Sequence, residues 1–251
     1  MSGAMPLLRL EHVNKAFGSL VVTRDVSLDV ASGQRHVIIG PNGAGKTSLI
    51  NQIGGQLQPG SGRILLDGRD ITQLTPEARA QRGLARTFQK NTLFQRLTVF
   101  ENVRLGVQAR FGSIFDLASP ALGRGDLNDR AQDILARLRL SHLSDQLVSS
   151  ISYGDQRQLE VAVALAGDPR ILMLDEPTSG LSPAETHQLV ELIRTLPAEL
   201  GVLMIEHDME VVFSLADRVT VLYYGEVLAS GAPDAVANDE RVREVYLGAS
   251  I

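Results

Sequence analysis

Apolar and polar residues alternate in two segments near the start of the chain: Leu8 and Leu10, and then Val26, Leu28 and Val30. A period of two residues is typical of strands that bury one face. Turn residues further along surround a short apolar segment, Arg63–Leu66, which is predicted as another strand. The first part of the chain therefore predicts an antiparallel layer of strands.

Short segments at four later places are each predicted to contain a buried strand. They are Val37–Ile39, Gly83–Gln89, Arg170–Pro177 and the segment GVLMIEHDMEVV that begins at Gly201. A hairpin is predicted around Tyr224 and Gly225, with short helices after it. A set of buried strands of this kind is typical of a parallel α/β sheet.

Helical spacing replaces these patterns in the middle of the chain. Thr98 is predicted to cap a helix in which valine recurs every four residues, and Asp126–Leu140 forms a second amphipathic pattern. Between them, the stretch FGSIFDLASPALGRGD has no clear period and is predicted to be a surface excursion. Ser152 is predicted to cap a third helix.

The 251 residues are enough for one domain with a substantial core. We expect a single domain over 1–251, in which a core at about 1–90 and 156–251 carries a helical insert at about 90–155. The net charge of -5 gives no basic footprint for nucleic acid. The lack of cysteine excludes disulfides and cysteine-zinc sites, and no apolar run approaches the roughly 18 residues that span a bilayer. Because no signal-peptide pattern is present, we expect a location in the cytosol, or on a membrane through a partner.

One glycine-rich segment, GPNGAGKT from Gly40 to Thr47, fits the pattern G-x-x-x-x-G-K-[ST] of a phosphate-binding loop. Gly43 and Gly45 allow successive backbone N–H groups to turn toward an anion, and the helix that starts near Gly45 adds its positive end. Lys46 can then reach the β- and γ-phosphates, while the Thr47 hydroxyl can bind Mg²⁺. The alternative is an ordinary glycine-rich turn between a strand and a helix.

Two carboxylates, Asp175 and Glu176, end one of the buried runs. An acid at the carboxyl end of a parallel strand faces the ligand crevice, so Asp175 can hold Mg²⁺ and Glu176 can polarise an attacking water. His207 lies just past the end of another buried strand, where it is predicted to join the same site. The alternatives are a helix cap for the acidic pair and a structural role for the histidine.

Phe17 lies in the segment NKAFGS, which is predicted as a turn between the first two strands. Its ring offers an apolar face on which an adenine can stack, and the chain has few other aromatic residues. The alternative is a local core plug. Because the same segment lacks the aspartate of the guanine-reading pattern N-K-x-D, ATP is favoured over GTP.

Together these motifs resemble the ATP-binding subunits of ABC transporters over essentially the whole chain. GPNGAGKT matches Walker A, ILMLDEP matches Walker B with its following glutamate, and SGLS lies at the D-loop position. The resemblance also assigns Phe17 to the aromatic A-loop, Gln89 to the Q-loop and His207 to the switch histidine, while ISYGD lies where the family has LSGGQ. The segments ARTFQ, LTVFENV, SYGDQRQLE, IEHDMEVV and VYLG further resemble the LivG-type ATPases of branched-chain amino acid importers, to which urea-uptake and lipopolysaccharide-export ATPases are similar.

The resemblance implies a P-loop NTPase (RecA-like) core of the α/β class, with an antiparallel β subdomain and a helical insert, that binds ATP and Mg²⁺. The residues expected to contact the nucleotide are Phe17, Gly40, Pro41, Asn42, Gly43, Ala44, Gly45, Lys46, Thr47, Ser48, Ser152 and Gly154. Those expected to hold the metal are Thr47, Gln89 and Asp175. The groups expected to act in ATP hydrolysis are the general base Glu176, together with His207, Lys46 and Gln89.

Two positions depart from the family pattern. The last residue of the signature segment is Asp155 rather than glutamine, and Ser182 replaces the D-loop aspartate. Ser152 and Gly154 remain to donate a hydroxyl and a backbone N–H to a γ-phosphate, which an anionic Asp155 would repel unless its side chain points away. The resemblance therefore does not carry over the D-loop link between two nucleotide sites, whereas ATP binding is expected.

The resemblance also implies partners: two transmembrane permease subunits, a second ATPase subunit of the same or a homologous chain, and indirectly a substrate-binding protein. No nucleic acid partner is expected, and the chain would lie on the cytoplasmic face of the cell membrane. The permease contact is expected near Gln89–Val103, where Phe94, Leu97 and Phe100 are either partner contacts or core residues of the insert. The rival classes are soluble ABC proteins of DNA repair or translation, which usually carry tandem cassettes or a long coiled coil, and P-loop kinases, which lack the ISYGD helix and the switch histidine.

Overall fold

The structure is a computed structural model that describes residues 5–87, 93–111 and 125–247, without the side chains of 246 and 247. Gln89 and most of the predicted surface excursion lie outside these residues. Within the described ranges the strands are β1 (Leu8–Phe17), β2 (Leu20–Val30), β3 (Arg35–Ile39), β4 (Ser61–Leu66), β5 (Arg69–Asp70), β6 (Leu84–Arg86), β7 (Ile171–Asp175), β8 (Gly201–Ile205), β9 (Arg218–Tyr223) and β10 (Glu226–Gly231). The helices of the same ranges are α1 (Lys46–Gly54), α2 (Pro76–Gln81), α3 (Val99–Phe111), α4 (Gly125–Arg137), α5 (Tyr153–Leu165), α6 (Pro183–Arg194), α7 (Met209–Leu215), α8 (Pro233–Ala237) and α9 (Glu240–Leu247). None of these described helices is long and apolar enough to cross a membrane.

Four strands form an antiparallel sheet in the order β2-β1-β4-β5. The alternating pattern correctly predicted β1 and β2, which pair so that Leu8 lies opposite Val30 and Leu10 lies opposite Leu28. All four of these side chains are buried, because the period of two places them on the same face. The predicted antiparallel layer is therefore confirmed.

The predicted turn NKAFGS was wrong in its extent. Phe17 is still part of β1, where it pairs with Leu20, so only Gly18 and Ser19 connect the two strands. Gly18 adopts a left-handed conformation with φ 60°, which a two-residue hairpin requires and glycine provides without strain.

The second sheet has six strands in the order β10-β9-β3-β8-β7-β6. Five of them run parallel, and β10 pairs antiparallel with β9 at one edge. Every residue of β7 and β8 is buried, as expected for parallel strands that are covered on both faces. Because β3, β8 and β7 are neighbours, their carboxyl ends lie side by side at the edge where such sheets bind ligands.

The described residues divide into two compact units. The sheet unit contains residues up to 86, 170–177 and those from 197 onward, and the helical unit contains 87–169 and 178–196. The helical unit therefore extends beyond the insert predicted at about 90–155 and includes α5 and α6, because α5 packs against α3, α4 and α6.

Capping residues set the limits of the helices in the helical unit. Thr98 and Glu101 form a reciprocal capping box at the start of α3, with the Thr98 nitrogen 2.7 Å from Glu101 Oε2 and the Glu101 nitrogen 3.1 Å from Thr98 Oγ1. The next helix, α4, ends at Arg137, three residues before its predicted end at Leu140. The helix cannot continue because Arg139 is left-handed, with φ 61°.

Arg79 fixes the end of the helix that follows the phosphate-binding loop. Its fully buried guanidinium donates hydrogen bonds to the carbonyls of Gln52 at 2.7 Å, Ile53 at 2.6 Å and Thr72 at 2.6 Å. Two of these carbonyls belong to the last turn of α1, where a cation is favourable. Burial lowers the pKa of Arg79 to about 10. The contact ties the C-terminal end of α1, the helix that follows the predicted phosphate-binding loop, to α2.

Candidate active site

The loop from Gly40 to Gly45 connects β3 to α1 and needs glycine at both of these positions. Gly40 has φ 153° and Gly45 has φ 100°. A Cβ added at Gly40 would lie 2.2 Å from the Leu222 carbonyl oxygen, and one at Gly45 would lie 2.2 Å from the Val22 carbonyl oxygen. Because α1 begins without a side-chain cap, its first N–H groups are available to an anion.

Lys46 is folded back over this loop. Its Nζ donates hydrogen bonds to the carbonyls of Gly40 at 2.6 Å and Pro41 at 3.0 Å. Burial lowers the pKa of Lys46, and the negative charges of Glu176 and Asp175 partly offset this effect. The structure thus brings the lysine and the two predicted carboxylates within electrostatic reach of one another.

The other predicted loop residues line the same turn. Pro41 and Ser48 are half-buried, Ala44 is buried, and the exposed members are Asn42, Gly43 and Thr47. A cavity of ≈ 350 Å³ is bordered by 41–44 on one side and by Tyr223 and Tyr224 on the other. A more apolar cavity of ≈ 500 Å³ is lined mainly by α7, α8 and α9. We place the site at the loop because its backbone and Lys46 have the chemistry that phosphate binding needs.

Asp175, the last residue of β7, is paired with an arginine that the sequence patterns did not single out. Arg86 Nη2 lies 3.0 Å from Asp175 Oδ2, and Arg86 Nη1 donates to Asn51 Oδ1 at 2.7 Å. Arg86 and Asp175 are 89 positions apart, so a local pattern could not reveal their contact. Their pairing places a cation on the carboxylate that is predicted to hold the metal.

A divalent metal fits the donors around Asp175. The Asp175 carboxylate and the Thr47 hydroxyl are the hard oxygen ligands that Mg²⁺ prefers, and this ion commonly uses one or two carboxylates with substrate phosphates and waters. The residues that the structure describes contain no cluster of three or more histidine, cysteine or acidic side chains that could hold a metal. The Asp175 carboxylate already attracts one cation, the guanidinium of Arg86, as expected for a buried negative charge. The donor set therefore suits a metal that arrives with a nucleotide.

Glu176 follows directly in a left-handed conformation, with φ 48°. Residues other than glycine rarely adopt this conformation, and such strain is concentrated at functional sites. The backbone N–H of Glu176 donates to the Ile205 carbonyl in β8 at 3.0 Å, which anchors the turn to the sheet. The half-buried side chain thus lies at the carboxyl edge of the sheet, beside the strand end that carries His207.

His207 is held by a neighbour that the sequence reasoning missed. Glu206 is fully buried, and its Oε2 accepts hydrogen bonds from the backbone nitrogens of His207 at 3.0 Å and Asp208 at 3.5 Å. The His207 side chain is 64% exposed, with its Nδ1 3.9 Å from Glu206 Oε2. The sequence did contain a signal for this contact: an acidic residue, Glu206, stands between the apolar strand β8 and His207. Glu206 fixes the backbone while leaving the imidazole accessible.

Phe17 is accessible rather than a core plug. Its side chain is 52% exposed, and the Lys15 ammonium lies 5.3 Å from the ring centroid. Adenine can stack only on an exposed ring face, and Phe17 has one. Its role in adenine stacking stays a prediction. Gln89, the remaining predicted catalytic and metal-binding residue, lies outside the described residues.

Ser152 and Gly154, the predicted γ-phosphate donors, belong to the helical unit, and both form hydrogen bonds with carboxylates of the same unit. Ser152 caps α5 as predicted: the Asp155 nitrogen donates to Ser152 Oγ at 3.0 Å, and Ser152 Oγ donates to Asp155 Oδ2 at 2.8 Å. The Gly154 nitrogen donates to Glu185 Oε1 at 3.2 Å. Ser182 caps α6 and forms a capping box with Glu185, a contact that the sequence reasoning also missed.

Comparison with known proteins agrees with this geometry. The family model described as ABC transporter matches residues 23–179, and a model described as branched-chain amino acid ATP-binding cassette transporter matches residues 226–250. The chain is 38% identical to the high-affinity branched-chain amino acid transport ATP-binding protein LivG of Salmonella typhimurium, over 98% of this chain and 99% of that protein. It is 37% identical to BraF of Pseudomonas aeruginosa, another such ATP-binding protein, over 97% and 98% of the two chains.

A further relative and a solved structure are also similar to this chain. The lipopolysaccharide export system ATP-binding protein LptB of Haemophilus influenzae is 36% identical over 97% of this chain and 98% of that protein. The crystal structure of an ATP-binding cassette of an ABC transporter in its ADP conformation superposes with a TM-score of 0.87 at 32% identity, covering 98% of this chain and 100% of that one. The predicted α/β P-loop fold is confirmed. The chain belongs to the ABC transporter family, as an ATP-binding cassette ATPase.

Proposed function

We propose that this chain is the ATP-hydrolysing subunit of an importer of branched-chain amino acids. The observation that supports the ATPase part is that Lys46 lies folded over the loop after β3, while Asp175 and Glu176 end β7 at the same carboxyl edge of the parallel sheet. The cargo is inferred from the LivG and BraF relatives, whose names state branched-chain amino acid transport, and from the match at residues 226–250. The chain would lie on the cytoplasmic face of the membrane through two permease subunits.

Hydrolysis in this proposal is an in-line attack of water on the γ-phosphate of ATP. Glu176 takes the proton from the water, a role that contributes about 10²–10⁴-fold in rate in enzymes generally. Lys46 moves from the Gly40 carbonyl to the phosphates and stabilises the charge that develops there. His207 orients the γ-phosphate with its exposed imidazole.

The metal would be held by Thr47 and Asp175, with Gln89 as a further ligand. When bound, Mg²⁺ neutralises charge on the β- and γ-phosphates. Phe17 would stack on the adenine, and the loop from Gly40 to Ser48 would surround the phosphates. These assignments rest on the glycine-dependent loop geometry and on the oxygen donors described above.

Two ATPase subunits would face each other head to tail, so that Ser152 and Gly154 of one subunit meet the ATP held by the other. The permease would contact the segment near Gln89–Val103. Phe94 supports this proposal because its side chain is 60% exposed, whereas Leu97 and Phe100 are half-buried. Contiguous exposed apolar patches mark partner surfaces, and in this proposal Phe94 forms part of such a patch at the permease contact.

Export of lipopolysaccharide is the second candidate, because LptB is 36% identical over nearly the whole chain. Urea uptake is an alternative of the importer class. The match at residues 226–250 favours branched-chain amino acids over both.

The experiment is reconstitution of the chain in membranes with the permease subunits encoded beside it. We expect co-purification of the complex and ATPase activity stimulated by a binding protein loaded with leucine, isoleucine or valine. Stimulation by urea instead would support the importer class but contradict branched-chain amino acids as the substrate. If no membrane protein co-purifies, and DNA or ribosomes stimulate the ATPase, the transporter proposal is wrong.

A further inference from the structure

Arg86 and Asp175 form a buried ion pair inside the sheet unit. Their side chains are only 9% and 4% exposed, and Arg86 Nη2 lies 3.0 Å from Asp175 Oδ2. The other terminal nitrogen of the same guanidinium donates to Asn51 Oδ1 at 2.7 Å and Gln56 Oε1 at 3.1 Å. The guanidinium therefore bridges the end of β7 to the α1 region through two separate sets of acceptors.

A buried carboxylate needs a counter-charge, because removing it from water without one is strongly unfavourable. The planar guanidinium supplies that charge together with fixed hydrogen-bond directions. Asp175 is also the carboxylate proposed to hold Mg²⁺. A guanidinium and a divalent cation on one buried carboxylate would repel each other across a short distance in a medium of low polarity.

We propose that Arg86 is the internal counter-ion of Asp175 in the metal-free site, and that it competes with Mg²⁺ for this carboxylate and so weakens metal binding. The inference rests on the proposed function, in which Asp175 is a metal ligand. Arg86 is a positioning residue in this account. When the metal binds, the hydrogen bond from Arg86 Nη2 to Asp175 breaks, while the bonds from Nη1 to Asn51 and Gln56 remain.

The test measures binding of Mn²⁺, a paramagnetic substitute for Mg²⁺, to the chain saturated with ADP, by electron paramagnetic resonance. Arg86→Met removes the competing charge and keeps the length of the side chain. We expect it to tighten Mn²⁺ binding by at least about tenfold. Arg86→Lys keeps a cation and should stay near the wild type. Arg9→Met is the matched control, since Arg9 forms an exposed pair with Asp29 and its loss changes the net charge equally.

Unchanged or weaker Mn²⁺ binding in Arg86→Met would overturn the proposal, because it would mean that Arg86 orients Asp175 for the metal. The variant Asp175→Asn tests the proposed function independently of Arg86. It should lose Mn²⁺ binding. If it still binds Mn²⁺ like the wild type, Asp175 is not a metal ligand. If Arg86→Met folds poorly, the double variant Arg86→Met/Asp175→Asn provides a second measurement. Because it removes both charges, the double variant should have a melting temperature without metal that is closer to the wild type than that of Arg86→Met. A double variant no more stable than Arg86→Met would contradict the counter-ion role.

Discussion

Glu185 accepts a hydrogen bond from the backbone nitrogen of Gly154 at 3.2 Å and thereby joins the start of α6 to the start of α5. The same carboxylate accepts from the Ser182 nitrogen at 2.9 Å and from Ser182 Oγ at 2.6 Å. These bonds, first those from Ser182 and then the one from Gly154, lower the pKa of Glu185. Ser182, which lies at the predicted D-loop position, is thus linked through Glu185 to Gly154, a proposed phosphate donor of the same chain.

Gly154→Ala should destabilise the helical unit. An added Cβ would lie 2.7 Å from Glu185 Cγ, and crowding of this kind costs about 1–3 kcal/mol. Gly125→Ala is the control, since a Cβ there meets nothing within 4 Å. Urea unfolding measures both variants, and adding Glu185→Ala to Gly154→Ala should recover part of the loss. A Gly154→Ala chain as stable as the wild type would contradict this packing.

Asp155→Gln should strengthen ATP-driven dimerisation. The Asp155 carboxylate accepts the Ser152 hydroxyl at 2.8 Å, so it occupies a proposed γ-phosphate donor and brings a negative charge beside it. Sedimentation velocity in the Glu176→Gln background, with and without Asp155→Gln, measures the change. Asp129→Asn removes an exposed charge from α4 and serves as the control. Weaker dimerisation after Asp155→Gln would refute this account of the signature segment.

His36 should make the folding stability fall as the pH is lowered. Its ring is fully buried, with Nδ1 3.1 Å from the Asp29 carbonyl and Nε2 2.7 Å from Thr220 Oγ1. Burial lowers the pKa of His36 to about 4, and the hydrogen bond to the Asp29 carbonyl opposes this effect only in part. Between about pH 6.5 and 4 the unfolded chain binds a proton that the folded chain excludes, so about 3 kcal/mol is lost across this window.

Urea unfolding between pH 7.5 and 4.5 measures this dependence. We expect a shallower decline in His36→Gln than in the wild type, while His187→Gln, a change at an exposed histidine of the helical unit, should follow the wild-type curve. Equal pH dependence in His36→Gln and the wild type would show that another group is responsible.

The parts of the fold that could be predicted from the sequence are those specified locally. The phosphate-binding loop needs glycine at fixed spacing, and the alternation at Leu8 and Leu10 follows directly from one-sided burial. The end of α4 was missed because a left-handed Arg139 leaves no signal in the hydrophobic pattern.

Contacts across long sequence separations could not be predicted. Arg86 reaches Asp175 across 89 positions, and Glu185 reaches Gly154 across 31, and both contacts exist only after the strands and helices are assembled. Glu206 was overlooked for another reason: a buried acid at the end of an apolar strand resembles an ordinary strand terminus until its hydrogen bonds to the backbone of His207 are seen.

Lys46→Ala should greatly weaken nucleotide binding, because the phosphates lose the cation that now lies over the loop at 2.6 Å from the Gly40 carbonyl. Equilibrium binding of a fluorescent ATP analogue is the measurement. Arg63→Ala removes an exposed cation of the antiparallel sheet and should bind the analogue like the wild type. Unchanged affinity in Lys46→Ala would mean that the loop does not hold the phosphates.

The most direct test of the account is steady-state ATP hydrolysis by Glu176→Gln in complex with the membrane partners. The substitution keeps the size of the side chain but removes the base, so we expect MgATP binding to persist, ATP-bound dimers to accumulate and turnover to fall by at least about a hundredfold. Glu199→Gln makes the same chemical change at an exposed position of the sheet unit and should hydrolyse ATP normally. Near-normal turnover by Glu176→Gln would contradict the assignment of Glu176 as the base, and with it the proposed mechanism.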